Sequence, residues 1–122
     1  MNHSMLKLLV VDDDPDVGYF MKHYLSFRKF EVSVAHSAEQ ALAMLKEHPA
    51  DIILLDMLMK GATGKSAAKI IKEKYPNTKI IVLTAYPEMA KSIETEVALE
   101  GIFTKPMGLE EIYTKLTALS EA

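Results

Sequence analysis

Five polar residues follow short apolar runs of the sequence, and their side chains have the chemistry needed to handle a phosphoryl group. They are Asp12, Asp13, Asp56, Thr84 and Lys105. Carboxylates can hold a divalent cation, a hydroxyl can donate a hydrogen bond to a phosphoryl oxygen, and an ammonium group can neutralise its charge. A carboxylate can also act as a nucleophile and become an acyl phosphate. These residue types predict phosphoryl transfer to Asp56 beside a bound cation.

The apolar runs are typical of β-strands that are buried on both faces of a sheet. Five are present, at residues 8–11, 32–35, 52–55, 80–83 and 102–104. Only the second run ends without an obvious chemical group. Ligands of an open parallel sheet bind beyond the carboxyl ends of its strands. We therefore expect the five polar side chains to meet at one edge of one sheet.

Segments with a helical period separate the strands. Pro15 would open the first helix, Ser37 would cap the second, and Gly64 precedes a third that ends near residues 75–77. The apolar positions with helical spacing are Val17, Phe20, Met21, Tyr24 and Leu25 in the first helix; Ala38, Ala41, Leu42 and Leu45 in the second; Ala67, Ile70 and Ile71 in the third; Met89 or Ala90, Ile93 and Val97 in the fourth; and Leu109, Ile112, Tyr113, Leu116 and Leu119 in the fifth.

This alternation of strand and helix, repeated five times, predicts an α/β fold. Right-handed crossovers place helices on both faces of a parallel sheet. Of the common doubly wound orders, five strands fit the flavodoxin-like order 2-1-3-4-5. The length of 122 residues fits one domain over residues 1–122, with its core at about 5–120.

In that order the four strands with polar ends are consecutive neighbours. Strands lie about 4.8 Å apart, so Asp13 and Asp56 can share one cation. Lys105 lies two strands from Asp56, roughly 10 Å at the backbone, a gap that its long side chain can largely cover. Crowded carboxylates repel one another without a counter-ion. An all-oxygen site with room for water and a phosphate oxygen suits Mg²⁺ better than Ca²⁺.

Composition and missing motifs exclude several other functions. The net charge of -3 gives no basic footprint for direct nucleic-acid binding. Cysteine is absent, which excludes disulfides and thiolate metal sites. No apolar stretch reaches the roughly 20 residues of a membrane span, and residues 1–4 are too polar for a signal peptide. We therefore expect a cytoplasmic protein that binds neither membrane nor nucleic acid.

Two enzyme classes are also disfavoured. No glycine-rich loop follows the first strand, so neither a dinucleotide-binding fingerprint nor a P-loop is present. Residues 56–58 lack the paired aspartates of haloacid-dehalogenase phosphatases, and no histidine stands at a strand end. The chain therefore lacks a substrate-binding motif of the kind expected in a small phosphatase or a nucleotide-binding enzyme.

Four short motifs carry chemical groups, but each is weak evidence for a function when taken alone. They lie at residues 10–15, 54–57 with Gly64, 83–85 and 104–106. Their order, and separations of about 43, 28 and 21 residues between Asp13, Asp56, Thr84 and Lys105, make the combination specific. Over essentially its whole length the chain resembles a two-component response-regulator receiver domain of the chemotaxis-regulator-like superfamily.

This resemblance implies a role for each residue of the constellation. Asp56 would accept a phosphoryl group from the phosphohistidine of a histidine kinase or phosphotransfer protein. Asp12 and Asp13 would hold Mg²⁺, directly or through water, and the backbone carbonyl of Leu58 would be a further ligand. Thr84 and Lys105 would contact the phosphoryl group, and a cis Lys105–Pro106 bond would aim the lysine.

The resemblance also implies a signalling protein rather than an enzyme. It would assist only its own phosphorylation and slow dephosphorylation, and the acyl phosphate would control binding of a downstream effector. A homodimer through the fourth and fifth helices is the oligomer that this family resemblance suggests. The alternative function is a receiver-like docking or dimerisation module that no longer switches on phosphorylation.

Some positions depart from the family pattern. Lys60 stands where a proline is usual, and Thr63 where an acidic residue is common. Ile102 occupies the position of the aromatic switch residue, three before the lysine. Phe103 is aromatic, but strand alternation sends it to the opposite face from Ile102. The pattern therefore supports phosphorylation more firmly than a threonine–aromatic switch.

Other residues have structural interpretations. Asp14 precedes Pro15 and would cap a helix, and Asp51 would be a turn residue. The methionines expected to fill the core are Met21, Met44 and Met89. The residues expected on a solvated helix face are Lys91, Glu94, Glu96 and Glu100.

Overall fold

The secondary structure alternates strands and helices along the chain. The computed structural model describes residues 5–59 and 62–121. In chain order the elements are β1 (Leu6–Val11), α1 (Pro15–Leu25), β2 (Phe30–Ala35), α2 (Ala38–Glu47), β3 (Ile52–Asp56), β4 (Leu58–Met59), β5 (Ala62–Thr63), α3 (Gly64–Lys74), β6 (Lys79–Thr84), α4 (Pro87–Ile93), β7 (Gly101–Thr104) and α5 (Leu109–Glu121).

The main sheet has five parallel strands in the order β2-β1-β3-β6-β7. In the register of neighbouring strands, Val11 pairs with Leu55, and Asp56 pairs with Leu83. The predicted order 2-1-3-4-5 is confirmed, since β6 and β7 are the fourth and fifth strands of this sheet. A separate antiparallel pair, β4 with β5, lies directly after Asp56 and was not predicted.

Alternating residues of the central strands feed two hydrophobic cores, one on each face of the sheet. Leu9 and Val11 of β1 point into the core covered by α2, α3 and α4. Leu8 and Val10 point into the core covered by α1 and α5. Strands that are apolar on both faces therefore lie between two layers of helices, as the sequence predicted.

Local capping explains where the first two helices begin. The side chain of Asp14 accepts a hydrogen bond from the Asp16 N–H, and Pro15 occupies the first turn of α1. The Ser37 hydroxyl accepts one from the Gln40 N–H at 3.0 Å. Asp51 lies in a bend before β3, where its Oδ2 accepts from the Lys7 N–H at 2.8 Å. These three structural interpretations are confirmed.

Three apolar side chains predicted to face inward are largely exposed instead. Phe20 is 54% exposed, Ile70 39% and Met89 44%. In each helix the adjacent residue is the buried one, namely Met21, Ile71 and Ala90. Adjacent helical residues point about 100° apart, so only one of each pair can face the sheet.

The fourth helix is shorter than its spacing predicted. It ends at Ile93, and Val97 is buried in the turns that follow. Among the helices in the described ranges, none combines the length and apolar character needed to cross a membrane.

Candidate metal and phosphate site

Three carboxylates converge at the carboxyl edge of the sheet. Asp12 and Asp13 follow β1, and Asp56 is the last residue of β3. One oxygen from each lies within 4.8 Å of the others. Asp12 and Asp56 are buried, at 3% and 8% exposed, and Asp13 is partly buried. The convergence follows from the parallel pairing of β1 with β3, which ends both strands at one edge.

Asp12 is held in place by three contacts. Its Oδ1 accepts a hydrogen bond from the Asp14 N–H at 2.9 Å, and its Oδ2 accepts one from the Lys105 ammonium at 3.3 Å. Its own N–H donates to the carbonyl of Ala35 at 3.1 Å. Both carboxylate oxygens therefore have protein donors, and the carboxyl group has a fixed orientation.

The Lys105 ammonium reaches the carboxylates from the end of β7, the edge strand that lies two strands from β3. Its Nζ lies 3.3 Å from Asp12 Oδ2 and 3.7 Å from Asp56 Oδ1, with the side chain 31% exposed. The Lys105 N–H donates to the Thr84 carbonyl at 2.8 Å. The Lys105–Pro106 peptide bond is cis, as predicted. The reach expected of this side chain is confirmed.

Thr84 presents a buried hydroxyl at the end of β6, the strand beside β3. Its Oγ1 accepts a hydrogen bond from the Tyr86 N–H at 2.9 Å. Because a hydroxyl can both accept and donate, this contact orients the oxygen and leaves its hydrogen available for a further acceptor. A phosphoryl oxygen is an acceptor of that kind.

The donor set fits a magnesium ion. Mg²⁺ binds oxygen at about 2.0–2.1 Å, so opposite ligands lie about 4 Å apart. One oxygen from each of the three carboxylates lies within 4.8 Å of the others, so small side-chain rotations would bring all three onto one ion. All ligands on offer are oxygens, which Mg²⁺ prefers to nitrogen or sulfur.

The loop after Asp56 is closed by a tight contact. The Gly64 N–H donates to the Met57 carbonyl at 3.0 Å, around the β4–β5 pair. A Cβ atom on Gly64 would lie 2.7 Å from the Met57 Cα, so a larger residue would press on the backbone next to Asp56. The Leu58 carbonyl remains a predicted metal ligand, and Lys60 lies outside the described residues.

An apolar groove of about 570 Å³ borders the site and was not predicted. It runs between α1 and the segment that joins β7 to α5, with Phe20 and Met107 on its walls and Lys105 at its edge. Nothing in the sequence indicated this groove, because Phe20 was predicted to face inward. This groove lies where a molecule approaching Lys105 would touch the protein.

The two neighbouring residues of β7 face opposite sides of the sheet. Ile102 packs against the core under α2, α3 and α4, while Phe103 is buried in the other core. The aliphatic residue therefore occupies the position three before Lys105, and the predicted alternation is confirmed.

Comparison with known proteins gives a consistent result. The sequence model of one protein family, the response regulator receiver domain, matches residues 8–117 of this chain. The transcriptional regulatory protein CpxR of Klebsiella pneumoniae is 33% identical over 116 residues, covering 94% of this chain and 49% of that protein. The heme response regulator HssR of Staphylococcus saprophyticus is 31% identical over 116 residues, covering 94% of this chain and 51% of that protein. The chain thus spans about half the length of these relatives.

Solved structures agree on the fold. Chemotaxis protein CheY4 of Vibrio cholerae superposes with a TM-score of 0.87 at 29% identity, covering 94% of this chain and 98% of that one. Response regulator TrrA of Thermotoga maritima, solved in complex with Mg²⁺-BeF, gives a TM-score of 0.83 at 30% identity. That match covers 94% of this chain and 99% of the other.

Proposed function

The chain belongs to the response regulator receiver domain family, the phosphoacceptor modules of two-component signalling, and we propose that Asp56 is its phosphoacceptor. The observation that carries this assignment is the convergence of Asp12, Asp13 and the Lys105 ammonium on the Asp56 carboxylate. A carboxylate oxygen of Asp56 attacks the phosphorus of a phosphohistidine. The P–N bond breaks as the new P–O bond forms, which leaves an acyl phosphate on Asp56.

Two side chains stabilise the transferring group. The Lys105 ammonium lies 3.7 Å from Asp56 Oδ1 and would neutralise charge on the phosphoryl oxygens. The Thr84 hydroxyl, oriented by the Tyr86 N–H, would donate a hydrogen bond to one of them. Both groups are fixed before the reaction, so little reorganisation is needed when charge develops.

We infer that Asp12, Asp13, Asp56 and the Leu58 carbonyl hold Mg²⁺. The support is the spacing of the carboxylates and their all-oxygen chemistry. The ion would supply positive charge beside the phosphoryl oxygens. Asp13 is partly buried rather than enclosed, which leaves room for water and a phosphate oxygen as further ligands.

The phosphoryl donor we propose is a cytoplasmic histidine kinase domain or a phosphotransfer protein. Its phosphohistidine must reach Asp56, so its surface would cover the apolar groove beside Lys105. Exposed Phe20 offers an apolar contact there. The acyl phosphate would then control binding of an effector, and similar proteins such as CpxR are named transcriptional regulators.

Intact-mass measurement tests the assignment of Asp56. The protein is incubated with Mg²⁺ and a small acyl phosphate, alongside Asp56→Asn and the control Asp16→Asn, whose residue lies in the first turn of α1. We expect the mass of one phosphoryl group on the native chain and on Asp16→Asn, and none on Asp56→Asn. Undiminished labelling of Asp56→Asn would overturn the assignment. Absence of labelling in all three would favour a docking module that does not switch.

A further inference from the structure

The carboxylate of Glu96, in the segment after α4, bridges two lysines of α3. Glu96 follows α4, and its carboxylate forms ion pairs with Lys65 and with Lys69 of α3, the second at 3.2 Å. The two lysines are one helical turn apart and face the same side. The three side chains are between 40% and 48% exposed, so solvent and salt reach the ion pairs.

The two lysines alter the acidity of the carboxyl group. Hydrogen bonds from Lys65 and Lys69, followed by their charges, lower the pKa of Glu96 below its ordinary value of 4.5. The group is therefore ionised at neutral pH and attracts both lysines. Glu96 is exposed to solvent, as the sequence predicted, but it lies in a turn after α4 rather than on a helix face.

The bridged segment, residues 94–98, is also held by local hydrogen bonds and by one buried side chain. Residues 94–96 form a turn after α4 that leads into the loop before β7, and the N–H groups of Glu96 and Val97 both donate to the Ile93 carbonyl. The Val97 side chain is buried in the core shared with α3. Val97 thus anchors the segment from inside, while the Glu96 ion pairs hold it from outside.

The other end of the bridge lies close to Asp56. Lys65 directly follows Gly64, whose N–H donates to the Met57 carbonyl at 3.0 Å. Met57 is the residue after Asp56 and is itself buried in the same core as Val97. A displacement of the loop after Asp56 would therefore move the start of α3, and with it Lys65.

We propose that Glu96, Lys65 and Lys69 form an ionic clamp that holds residues 94–98 on α3 and couples the end of α4 to the loop after Asp56. The holding function concerns the unphosphorylated protein. The coupling function rests on the proposed phosphorylation of Asp56. The clamp would be a regulatory contact built from residues outside the metal and phosphate site.

Amide hydrogen exchange of the unphosphorylated protein tests the holding function. Glu96→Gln keeps the shape of the side chain but removes its charge, and Glu94→Gln is the matched control, since Glu94 forms no ion pair with the described residues. We expect exchange in residues 94–98 to become roughly two- to tenfold faster in Glu96→Gln and to stay unchanged in Glu94→Gln. High salt should speed exchange in the native protein towards that of Glu96→Gln. Equal exchange in the native protein and Glu96→Gln would overturn the clamp.

Exchange before and after acyl-phosphate treatment tests the coupling. Labelling is verified by intact mass, so failure of phosphorylation is separated from failure of the clamp. We expect the native protein to change its exchange at residues 94–98 on phosphorylation. The change should be smaller in Glu96→Gln and in a Lys65→Gln, Lys69→Gln double variant. A change of the same size in all three labelled proteins would refute the coupling.

Discussion

The ammonium nitrogen of Lys105 lies 3.3 Å from Oδ2 of Asp12, across 93 residues of sequence. This contact gives one buried carboxylate oxygen a positive partner within the protein itself. A cation that binds the same carboxylate must compete with the ammonium or push it aside. Lys105 is therefore expected to weaken cation binding while it assists phosphoryl transfer.

Replacing Lys105 with methionine separates these two effects. Loss of a positive charge close to Asp12 and Asp56 should tighten Mg²⁺ binding by about tenfold, or about 1.4 kcal/mol. The same variant should accept phosphate more slowly, because the transferring group loses an ammonium. Titration calorimetry with Mg²⁺ measures the first effect and intact mass the second. Lys91→Met, which changes an exposed lysine of α4, is the control and should leave Mg²⁺ affinity unaltered.

Gly64→Ala should destabilise the protein. The added Cβ would lie 2.7 Å from the Met57 Cα, and backbone atoms cannot move aside cheaply. Overpacking of this kind costs about 1–3 kcal/mol. Gly108→Ala is the matched control, since a Cβ there would meet nothing within 4 Å. Urea unfolding should find Gly64→Ala less stable than Gly108→Ala, and equal stabilities would contradict the close contact.

The lowered pKa of Glu96 predicts how the clamp depends on pH. In the unfolded chain the group titrates at about 4.5, and in the folded chain below that value. Its contribution to stability is present above the unfolded pKa and is lost as pH falls through the folded one. The stability difference between the native protein and Glu96→Gln should thus be constant from pH 7 to about 5 and shrink below 4.5. Urea unfolding over this range measures it, and a constant difference at all pH values would contradict the ion pairs.

The location of the site could be predicted from sequence because it depends on strand ends. Runs of four or five apolar residues identify buried strands, and parallel strands finish at one edge of the sheet. The residues at the carboxyl ends of β1 and β3 therefore had to converge, and Asp12, Asp13 and Asp56 do. The cis bond before Pro106 followed from the family resemblance rather than from any local pattern.

Features that depend on distant neighbours were not predictable. Glu96 has its partner Lys69 27 residues away on another element, so its local sequence suggested only a solvated charge. Phe20, Ile70 and Met89 fit a helical stripe, but the width of the buried stripe is set by the sheet beneath each helix. The β4–β5 pair depends on backbone pairing between residues 58–59 and 62–63, and no apolar alternation in the sequence indicates that pairing.

Hydrolysis of the acyl phosphate needs a water molecule placed in line behind the phosphorus. A polar side chain beside the phosphate can orient such a water. In the family that the chain belongs to, the positions two beyond the phosphorylated aspartate and two beyond the threonine tune this step. Here they are Leu58, which cannot hydrogen-bond water, and Tyr86, which is large and follows the Thr84 hydroxyl in sequence. Lys60, which lies outside the described residues, would act in the opposite direction by stabilising charge on the leaving phosphate. We expect shielding by Leu58 and Tyr86 to have the larger effect.

The phosphorylated state should therefore last minutes or longer at neutral pH with Mg²⁺, rather than seconds. Leu58→Asn introduces a side chain that can hold the water, so decay should accelerate severalfold. Leu58→Ala removes the bulk of the leucine without adding a polar group and so separates shielding from water orientation, while Tyr86→Ala tests shielding at the second position. Decay is followed by intact mass after the phosphodonor is removed. A native lifetime of seconds that none of the three substitutions changes would show that neither position controls access of water to the acyl phosphate.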